Sequence, residues 1–370
     1  MIDKFRNIFE NRYDVIKEEG KEKKIIGWVC GYVPQEIIYA AGMLPIRVVG
    51  ASMTTPKADA VLYSNACSFI SSYIEEGLKG CYDFLDGFVA ADGCMQTRRA
   101  YDVWANYVRT PFVHILNLPN SVSEVTLSFF KDELSIFKDR LEDLFNVDIS
   151  EESLSQAIEV YNRTRSLLKE LSLLRMTDPP PISGAEAMAV FMAGMVIDKV
   201  RYNRLLEELL EQLRAGHAKQ VKDSRVRLLL IGSELDDSEF IKLIEDSGGV
   251  VVVDDLCTGT RYFWEQADST KAPLDALAEY YLTRSPCPRI SPAEGRLRHL
   301  REMANMFKVD GVIFQKIKWC HIHGGNCPII KQDFEDLGIP FLMLEREYIL
   351  GQPGQLSTRL EAFYEIIKGV

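Results

Sequence analysis

Short apolar runs alternate with amphipathic segments at both ends of the chain. The runs have the length and composition of buried strands, and the segments between them have helical spacing. Alternating strand and helix signals are typical of a mainly parallel, doubly wound sheet. The sequence therefore predicts an α/β protein with two parallel-sheet lobes. The predicted strands lie at 25–30, 45–49, 88–91, 112–116, 226–231, 249–253, 307–314 and 339–344.

The middle of the chain has a different pattern. From about Glu124 to Gln220 the apolar residues recur at helical spacing, with a break at 178–181 and a capped restart predicted at Ser183. We interpret this region as a helical connector that packs on both sheets. The predicted division is an N-terminal α/β lobe at 1–123, a helical connector at 124–224 and a C-terminal α/β lobe at 225–370.

Four of the eight cysteines lie just past the end of an apolar run, where a loop leads into a predicted helix. For one of them the run is the short segment 61–63. In open α/β sheets, ligands bind at the carboxyl ends of the strands, so this repeated placement predicts a shared metal or redox site. The four are Cys67, Cys94, Cys257 and Cys320.

The two predicted lobes share a local sequence. Residues 85–89 and 309–313 both place an Asp-Gly pair before an apolar strand, and a loop cysteine follows each strand. This likeness predicts two related lobes that face each other across a cleft. Cys94 and Cys320 would then occupy equivalent positions on opposite walls.

Composition narrows the class of protein. The net charge of −11 argues against a large nucleic-acid footprint, which needs clustered Lys and Arg. The charged start of the chain does not have the apolar core of a signal peptide, and no uncharged stretch is long enough to span a membrane. We therefore expect a cytoplasmic protein, in which the eight cysteines are thiols, metal ligands or redox groups and not disulfides.

The spacing of the cysteines alone does not decide which metal or redox group they hold. Zinc sites usually contain paired ligands such as C-x-x-C, and this sequence has no such pair. The stretch Cys320–Cys327 holds four potential ligands and predicts either a local zinc site or a site in which Cys320 alone binds metal. Glu36, in the helix after Pro34, is a candidate acid–base group of the cleft, or a helix-start carboxylate that interacts with the helix dipole.

Several segments together carry a family resemblance. Residues 28–45 resemble the opening of the 2-hydroxyacyl-CoA dehydratase and benzoyl-CoA reductase family. Residues 65–68, 92–99 and 317–320 follow in that family's order and spacing, and 354–363 resemble its C-terminal segment. The resemblance runs along essentially the whole chain, and the combination is specific although each piece alone is weak.

This resemblance implies two flavodoxin-like lobes with a [4Fe-4S] cluster in the cleft between them. The implied ligands are Cys67, Cys94 and Cys320, with one iron left open. It also implies an iron–sulfur subunit of an (R)-2-hydroxyacyl-CoA dehydratase, which is a lyase, or of a related acyl-CoA reductase. The implied partners are an ATP-dependent iron–sulfur activator that supplies low-potential electrons, a homologous second subunit or a second copy of this chain, and an acyl-CoA substrate.

Three more cysteines resemble positions of a family branch that holds a double-cubane [8Fe-9S] cluster with six cysteines. They are Cys81, Cys257 and Cys287. This likeness implies, as an alternative, a protein that reduces small molecules with an ATP-dependent reductase. A non-catalytic electron-relay subunit is a further alternative. If residues 67–79 form one straight helix of about 18 Å, Cys81 lies at its far end from Cys67. Either that helix is shorter and the chain doubles back, or Cys81 is a buried thiol.

Overall fold

The computed structural model describes residues 1–216, 221, 225–351 and 353–369. The strands are β1 (Ile25–Val29), β2 (Leu44–Arg47), β3 (Gly87–Ala91), β4 (Phe112–Leu116), β5 (Val226–Gly232), β6 (Gly249–Asp255), β7 (Gly311–Ile317) and β8 (Phe341–Arg346). The helices are α1 (Ile2–Glu10), α2 (Arg12–Glu19), α3 (Gln35–Ala40), α4 (Pro56–Asp59), α5 (Ser68–Leu78), α6 (Met95–Val103), α7 (Glu124–Phe145), α8 (Glu151–Leu174), α9 (Gly184–Ala193), α10 (Lys199–Arg214), α11 (Ser238–Asp246), α12 (Thr260–Phe263), α13 (Pro273–Thr283), α14 (Glu294–Met306), α15 (His321–Asp336) and α16 (Gly354–Lys368).

The strands form two four-stranded parallel sheets. The first has the order β2-β1-β3-β4 and the second the order β6-β5-β7-β8, so the two lobes repeat one topology. Five of the strands are buried along their whole length because helices cover both faces of each sheet. The predicted α/β fold class with two parallel-sheet lobes is confirmed.

An aspartate precedes the third strand of each sheet and makes the same contact. The Asp86 carboxylate accepts a hydrogen bond of 2.9 Å from the backbone N–H of Ile25, at the start of β1. The Asp310 carboxylate accepts one of 2.7 Å from the backbone N–H of Arg227 in β5. The sequence likeness between the lobes thus reflects the same hydrogen bond in each lobe, and this bond joins the starts of two neighbouring central strands.

Helices α7 to α10 occupy the region between the two sheets in sequence. Helix α8 packs against α3 of the first lobe and α12 of the second, and α9 packs against α1, α11 and β6. The predicted restart is confirmed, because Ser183 and Glu186 form a capping box at the start of α9. The predicted end of this helical region, at 217–220 and 222–224, lies outside the described residues.

Two sequence-based predictions of elements were wrong. The charged, amphipathic pattern of residues 1 to about 25 predicts one helix, but the structure has two, because the chain breaks at Asn11 between α1 and α2. The short run 61–63 is a turn and not a strand, because it directly follows α4, is only half-buried and pairs with no strand. Cys67 consequently follows a turn.

A lysine is buried at the start of α10. The Lys199 side chain lies over three tyrosine rings and donates a hydrogen bond to the carbonyl of Gly194. Burial, helped by the nearby positive charge of Arg165, lowers the pKa of Lys199 to about 7. The rings belong to Tyr161, Tyr202 and Tyr262, at 5.4, 5.7 and 5.6 Å from the ammonium nitrogen.

This lysine is expected to make stability depend on pH. Between pH 7 and the unfolded pKa near 10.4 the unfolded chain binds more protons at Lys199 than the folded chain does, so stability rises with pH by up to about 1.4 kcal/mol per unit. Lys199→Met should remove that rise, measured by urea unfolding at pH 7, 8 and 9. The exposed Lys331→Met is the control and should keep it. An unchanged slope in Lys199→Met would contradict the assignment.

Candidate functional site

One cavity lies where the carboxyl ends of the two sheets face each other. Its volume is about 360 Å³, and six of the eight cysteines line it. Three come from each lobe, and four of the six lie in loops that follow a strand. The six are Cys30, Cys67, Cys94, Cys257, Cys287 and Cys320.

The N-terminal wall places two cysteines close together. Cys30 follows β1 in a left-handed conformation with φ of +78°, which is rare for a side chain with a Cβ. A Cβ at Gly93 would lie 2.6 Å from the Cys30 sulfur, so glycine is needed where the loop after β3 passes Cys30. Cys94 then caps α6, with its sulfur 3.4 Å from the backbone nitrogen of Thr97.

The loop after β6 presents Cys257. Asp254 organises this loop, because its carboxylate accepts hydrogen bonds from the backbone N–H groups of Thr260 at 2.9 Å and Leu256 at 3.3 Å. A Cβ at Gly259 would lie 1.8 Å from the same carboxylate, so only glycine fits there. The turn is thus fixed on both sides of Cys257.

Cys287 belongs to a segment between α13 and α14 that docks on the other lobe. Arg289 donates hydrogen bonds to the carbonyls of Leu118 at 2.7 Å and Pro119 at 2.5 Å, both after β4. The backbone N–H of Ser291 donates to the carbonyl of Asn120 at 2.7 Å. These contacts hold Cys287 against the N-terminal lobe.

A single amide connects three of the cysteine-bearing loops. The Gln96 side-chain oxygen accepts a hydrogen bond from the Tyr63 hydroxyl and one of 3.4 Å from the backbone N–H of Cys67. Its nitrogen donates to the carbonyl of Asn65 at 3.1 Å and to that of Trp319 at 3.4 Å, directly before Cys320. Gln96 itself lies in α6, two residues after Cys94. The loops of Cys67, Cys94 and Cys320 are therefore tied to one another across the lobes.

A carboxylate also lines the cavity. Glu234, in the loop after β5, accepts a hydrogen bond from the Arg47 guanidinium at the end of β2 in the other lobe. Arg47 is buried and lies 4.8 Å from the centre of the Trp28 ring. The pair joins the two lobes beside the cysteines.

Burial controls the protonation of the thiols. It raises the pKa of Cys257 to about 11 and raises the pKa values of Cys30, Cys67, Cys94 and Cys320 above the ordinary range for a thiol. Without a positively charged ligand, these side chains are neutral thiols at pH 7. A metal centre binds thiolates, so its entry would release protons.

Comparison with known proteins identifies the family. The family model of the 2-hydroxyglutaryl-CoA dehydratase D-component matches residues 30–367. The chain belongs to this family. It is 27% identical over 366 residues to the beta subunit of (R)-phenyllactyl-CoA dehydratase from Clostridium sporogenes, covering 98% of this chain and 97% of the relative.

Other relatives match over similar lengths. The chain is 31% identical over 362 residues to the putative dehydratase subunit YjiM of Escherichia coli, covering 95% of this chain and 93% of that protein. It is 27% identical over 364 residues to a subunit of the benzoyl-CoA reductase of Thauera aromatica, with coverage of 95% and 93%. The predicted family and the predicted class, an enzyme subunit of the dehydratase and benzoyl-CoA reductase type, are confirmed.

Within this D-component family member, the structure brings together five of the six cysteines singled out from the sequence. Cys67, Cys94 and Cys320 line the cavity, and so do Cys257 and Cys287. That these cysteines are ligands stays a prediction.

Cys81 is the sixth cysteine, and it does not line the cavity. It lies past the far end of α5, whose 11 residues span about 16 Å, and its backbone N–H donates to the carbonyl of Glu76 at 3.0 Å.

Cys30 completes the set and was missed by the sequence reasoning. The run 25–30 was interpreted as a strand that includes Cys30, whereas β1 ends at Val29 and Cys30 begins the following loop. The rule applied to the other cysteines, a position just past a buried strand, would have found it.

The histidine-containing stretch is helical. Cys320 directly precedes α15, and His321 and His323 in the first turn of this helix line the cavity, whereas Cys327 does not. Burial lowers the pKa of His323 well below its ordinary value, with Arg261 and Arg296 adding to the effect, so its imidazole is neutral at pH 7. Among the described residues, no three Cys, His, Asp or Glu side chains are close enough together to hold one metal ion.

Glu36 lies outside the lining of the cavity. It is fully buried, and both carboxylate oxygens are used, one by the Arg165 guanidinium and the other by the Tyr281 hydroxyl at 2.7 Å. Arg165 belongs to the connector and Tyr281 to the C-terminal lobe. Through these contacts Glu36 links the N-terminal lobe to the connector and to the C-terminal lobe. Its acid–base role stays a prediction.

Removal of the Glu36 charge is expected to destabilise the fold. Glu36→Gln would leave the buried Arg165 guanidinium without a counter-charge, at a cost of about 3–5 kcal/mol. Urea unfolding measures this loss, and the exposed pair member Glu335→Gln is the control, with little expected change. Wild-type stability in Glu36→Gln would contradict the structural role and favour the acid–base prediction.

None of the helices in the described part of the chain combines the length and the apolar character needed to cross a bilayer.

Proposed function

We propose that this chain is an iron–sulfur redox protein of the D-component family that binds a double-cubane cluster between its lobes. The observation that carries the proposal is the six cysteine side chains around one cavity, three from each lobe. They are spread over the cavity wall and do not converge on one point, an arrangement that suits a multi-iron cluster better than a single ion. When bound, the cluster supplies low-potential electrons to a substrate.

The protein's own residues form the surroundings of the proposed cluster. The six cysteines bind iron, and Gln96 fixes the relative positions of three of their loops. The cysteines are buried or only partly exposed, so the cavity limits contact with bulk water, which protects low-potential chemistry. Glu234 lies within the same cavity, and its carboxylate is held there by the Arg47 guanidinium of the other lobe.

The proposal includes partners. An ATP-dependent iron–sulfur activator would supply the electrons, and a second subunit or a second copy of this chain would complete the enzyme. Support comes from the relatives, which are named as subunits of multi-subunit enzymes or as a putative dehydratase subunit. For the double-cubane protein we propose a small-molecule substrate and a cytoplasmic location.

A second candidate has a specific observation in its favour. The three cysteines expected to hold a single [4Fe-4S] cluster, Cys67, Cys94 and Cys320, lie on the three loops that Gln96 ties together. In this case the chain would be the iron–sulfur subunit of an acyl-CoA dehydratase or reductase, and the remaining cysteines would be free thiols.

Metal analysis of anaerobically purified protein separates the candidates. About eight irons with sulfide per chain would support the double cubane, and about four would support the single cubane. Zinc without sulfide would contradict both. The same preparation provides the reference for every variant described below.

A further inference from the structure

A threonine in the first turn of α6 contacts the sulfur of Cys94. The Thr97 hydroxyl oxygen lies 3.2 Å from this sulfur, and the backbone N–H of Thr97 donates to the same sulfur at 3.4 Å. Both distances are within the hydrogen-bonding range of a sulfur atom. Thr97 is buried and lines the cavity. One residue thus directs two hydrogen-bonding groups at one of the proposed ligands.

A second helix has a threonine at the same position with different contacts. Thr126 is the third residue of α7, as Thr97 is the third residue of α6. The Thr126 hydroxyl accepts a hydrogen bond of 2.8 Å from the backbone N–H of Ser123 and donates one of 3.0 Å to the Ser123 carbonyl. These contacts belong to a capping box, in which the hydroxyl binds the backbone of the cap residue.

The Thr97 hydroxyl has a different partner. In the part of the chain that the structure describes, its one hydrogen-bond partner is the Cys94 sulfur. A threonine hydroxyl within a helix can also donate to the carbonyl four residues earlier, as Thr164 does to Val160 at 3.2 Å. Thr97 has no such bond among the described residues, so its hydroxyl proton is available to the sulfur.

The direction of this hydrogen bond depends on the state of the cysteine. A thiol and a hydroxyl can each donate, whereas a thiolate has no proton and can only accept. If Cys94 binds iron as a thiolate, the Thr97 hydroxyl is therefore the donor. Hydrogen bonds to a charged acceptor are about twice as strong as those between neutral groups. Metal binding would thus strengthen this contact and fix its direction.

We propose that Thr97 is a positioning residue that donates an O–H···S hydrogen bond to the Cys94 thiolate and thereby raises the reduction potential of the bound cluster. This inference rests on the proposed iron–sulfur function, but it needs only Cys94 as a ligand and applies to one cubane or two. Hydrogen bonds to the sulfurs of a cluster help to set its potential. An added electron makes these sulfurs more negative, so the bond stabilises the reduced state more than the oxidised state. The hydroxyl proton stays on Thr97 throughout.

The test compares Thr97→Val with wild type after anaerobic loading with iron and sulfide. Valine has nearly the shape of threonine without the hydroxyl, and it keeps the backbone N–H that binds the sulfur. We expect wild-type iron content and a one-electron reduction about tenfold less favourable, which is a midpoint about 59 mV more negative. Thr97→Ser restores a hydroxyl and should restore the wild-type midpoint. Iron and sulfide content and an EPR-monitored titration with titanium(III) citrate are the readouts.

Thr126→Val is the matched control. It removes the same hydroxyl from the third position of a helix, but Thr126 does not line the cavity and its partner is the cap residue Ser123. Loss of this capping box should destabilise the fold and leave the midpoint potential unchanged. A purely structural role of Thr97 in helix capping would likewise change stability and not the potential.

Each outcome decides the inference. A fully loaded Thr97→Val whose midpoint is not more negative than that of wild type, or failure of Thr97→Ser to restore the midpoint, would overturn the role of the hydroxyl and leave the proposed function intact. Loss of iron from folded Thr97→Val would also overturn it, because the proposed bond is made to a ligand and not to iron. A wild-type protein without iron and sulfide would overturn the proposed function and this inference with it. If circular dichroism reveals that Thr97→Val is unfolded, Thr97→Ala takes its place and should show the same shift.

Discussion

Replacement of Cys94 by serine is expected to abolish the visible absorption of the loaded protein. Cys94 is positioned between β3 and α6, belongs to both the three-ligand and the six-ligand sets, and lies beside Cys30. A hydroxyl is a poor ligand for iron in a cluster, and loss of a direct ligand should cost more than the 10–100-fold in metal affinity typical of outer-shell changes. Absorption spectra and iron content after anaerobic loading measure the effect.

Cys327 provides the matched control for this experiment. It is a buried cysteine in the same chain that does not line the cavity. Cys327→Ser should keep the wild-type spectrum, which separates ligand loss from general damage to the fold. A wild-type spectrum in Cys94→Ser would refute its assignment as a ligand in either proposed cluster.

Replacement of Cys30 by serine is expected to reduce the bound iron strongly, whereas replacement of Cys81 is expected to change nothing. Cys30 lines the cavity, and Cys81 lies beyond the far end of α5. If the cluster has two cubanes, loss of one of six ligands should remove about half of the iron or more. Iron and sulfide per chain, measured on both variants side by side, provide the comparison.

The opposite result would be equally informative. Loss of iron in Cys81→Ser together with full loading of Cys30→Ser would restore the ligand set implied by the family resemblance. It would also require α5 to end earlier or to bend, because the 11 residues of this helix separate Cys81 from Cys67. Full loading in both variants would leave a single cubane held by Cys67, Cys94 and Cys320.

Much of the fold could be predicted because the strands are buried on both faces. Segments with a long apolar run, such as Val226–Gly232 and Gly249–Asp255, have few alternatives in a soluble chain. The shared Asp-Gly pairs before β3 and β7 revealed the repeat of one topology. The run 61–63 failed as a strand because an apolar triplet carries no information about whether a neighbouring strand is available.

The cavity was predicted in part. The ends of three strands place Cys94, Cys257 and Cys320 at the carboxyl edges of the sheets, whereas Cys67 follows a turn. The choice between Cys30 and Cys81 depends on where β1 stops and how far α5 extends. Contacts between the lobes could not be predicted from the sequence. Nothing in the local sequence around Arg47 indicates that it pairs with Glu234, 187 residues later.

The equal division of the cavity between the lobes has a consequence for biosynthesis. Cys30, Cys67 and Cys94 leave the ribosome long before Cys257, Cys287 and Cys320, and the helical connector is made in between. A half-made chain can therefore present only three of the six thiols. If the proposed cluster is correct, its six-ligand site exists only after Cys320 has been made, so iron and sulfide would be delivered to a nearly complete chain.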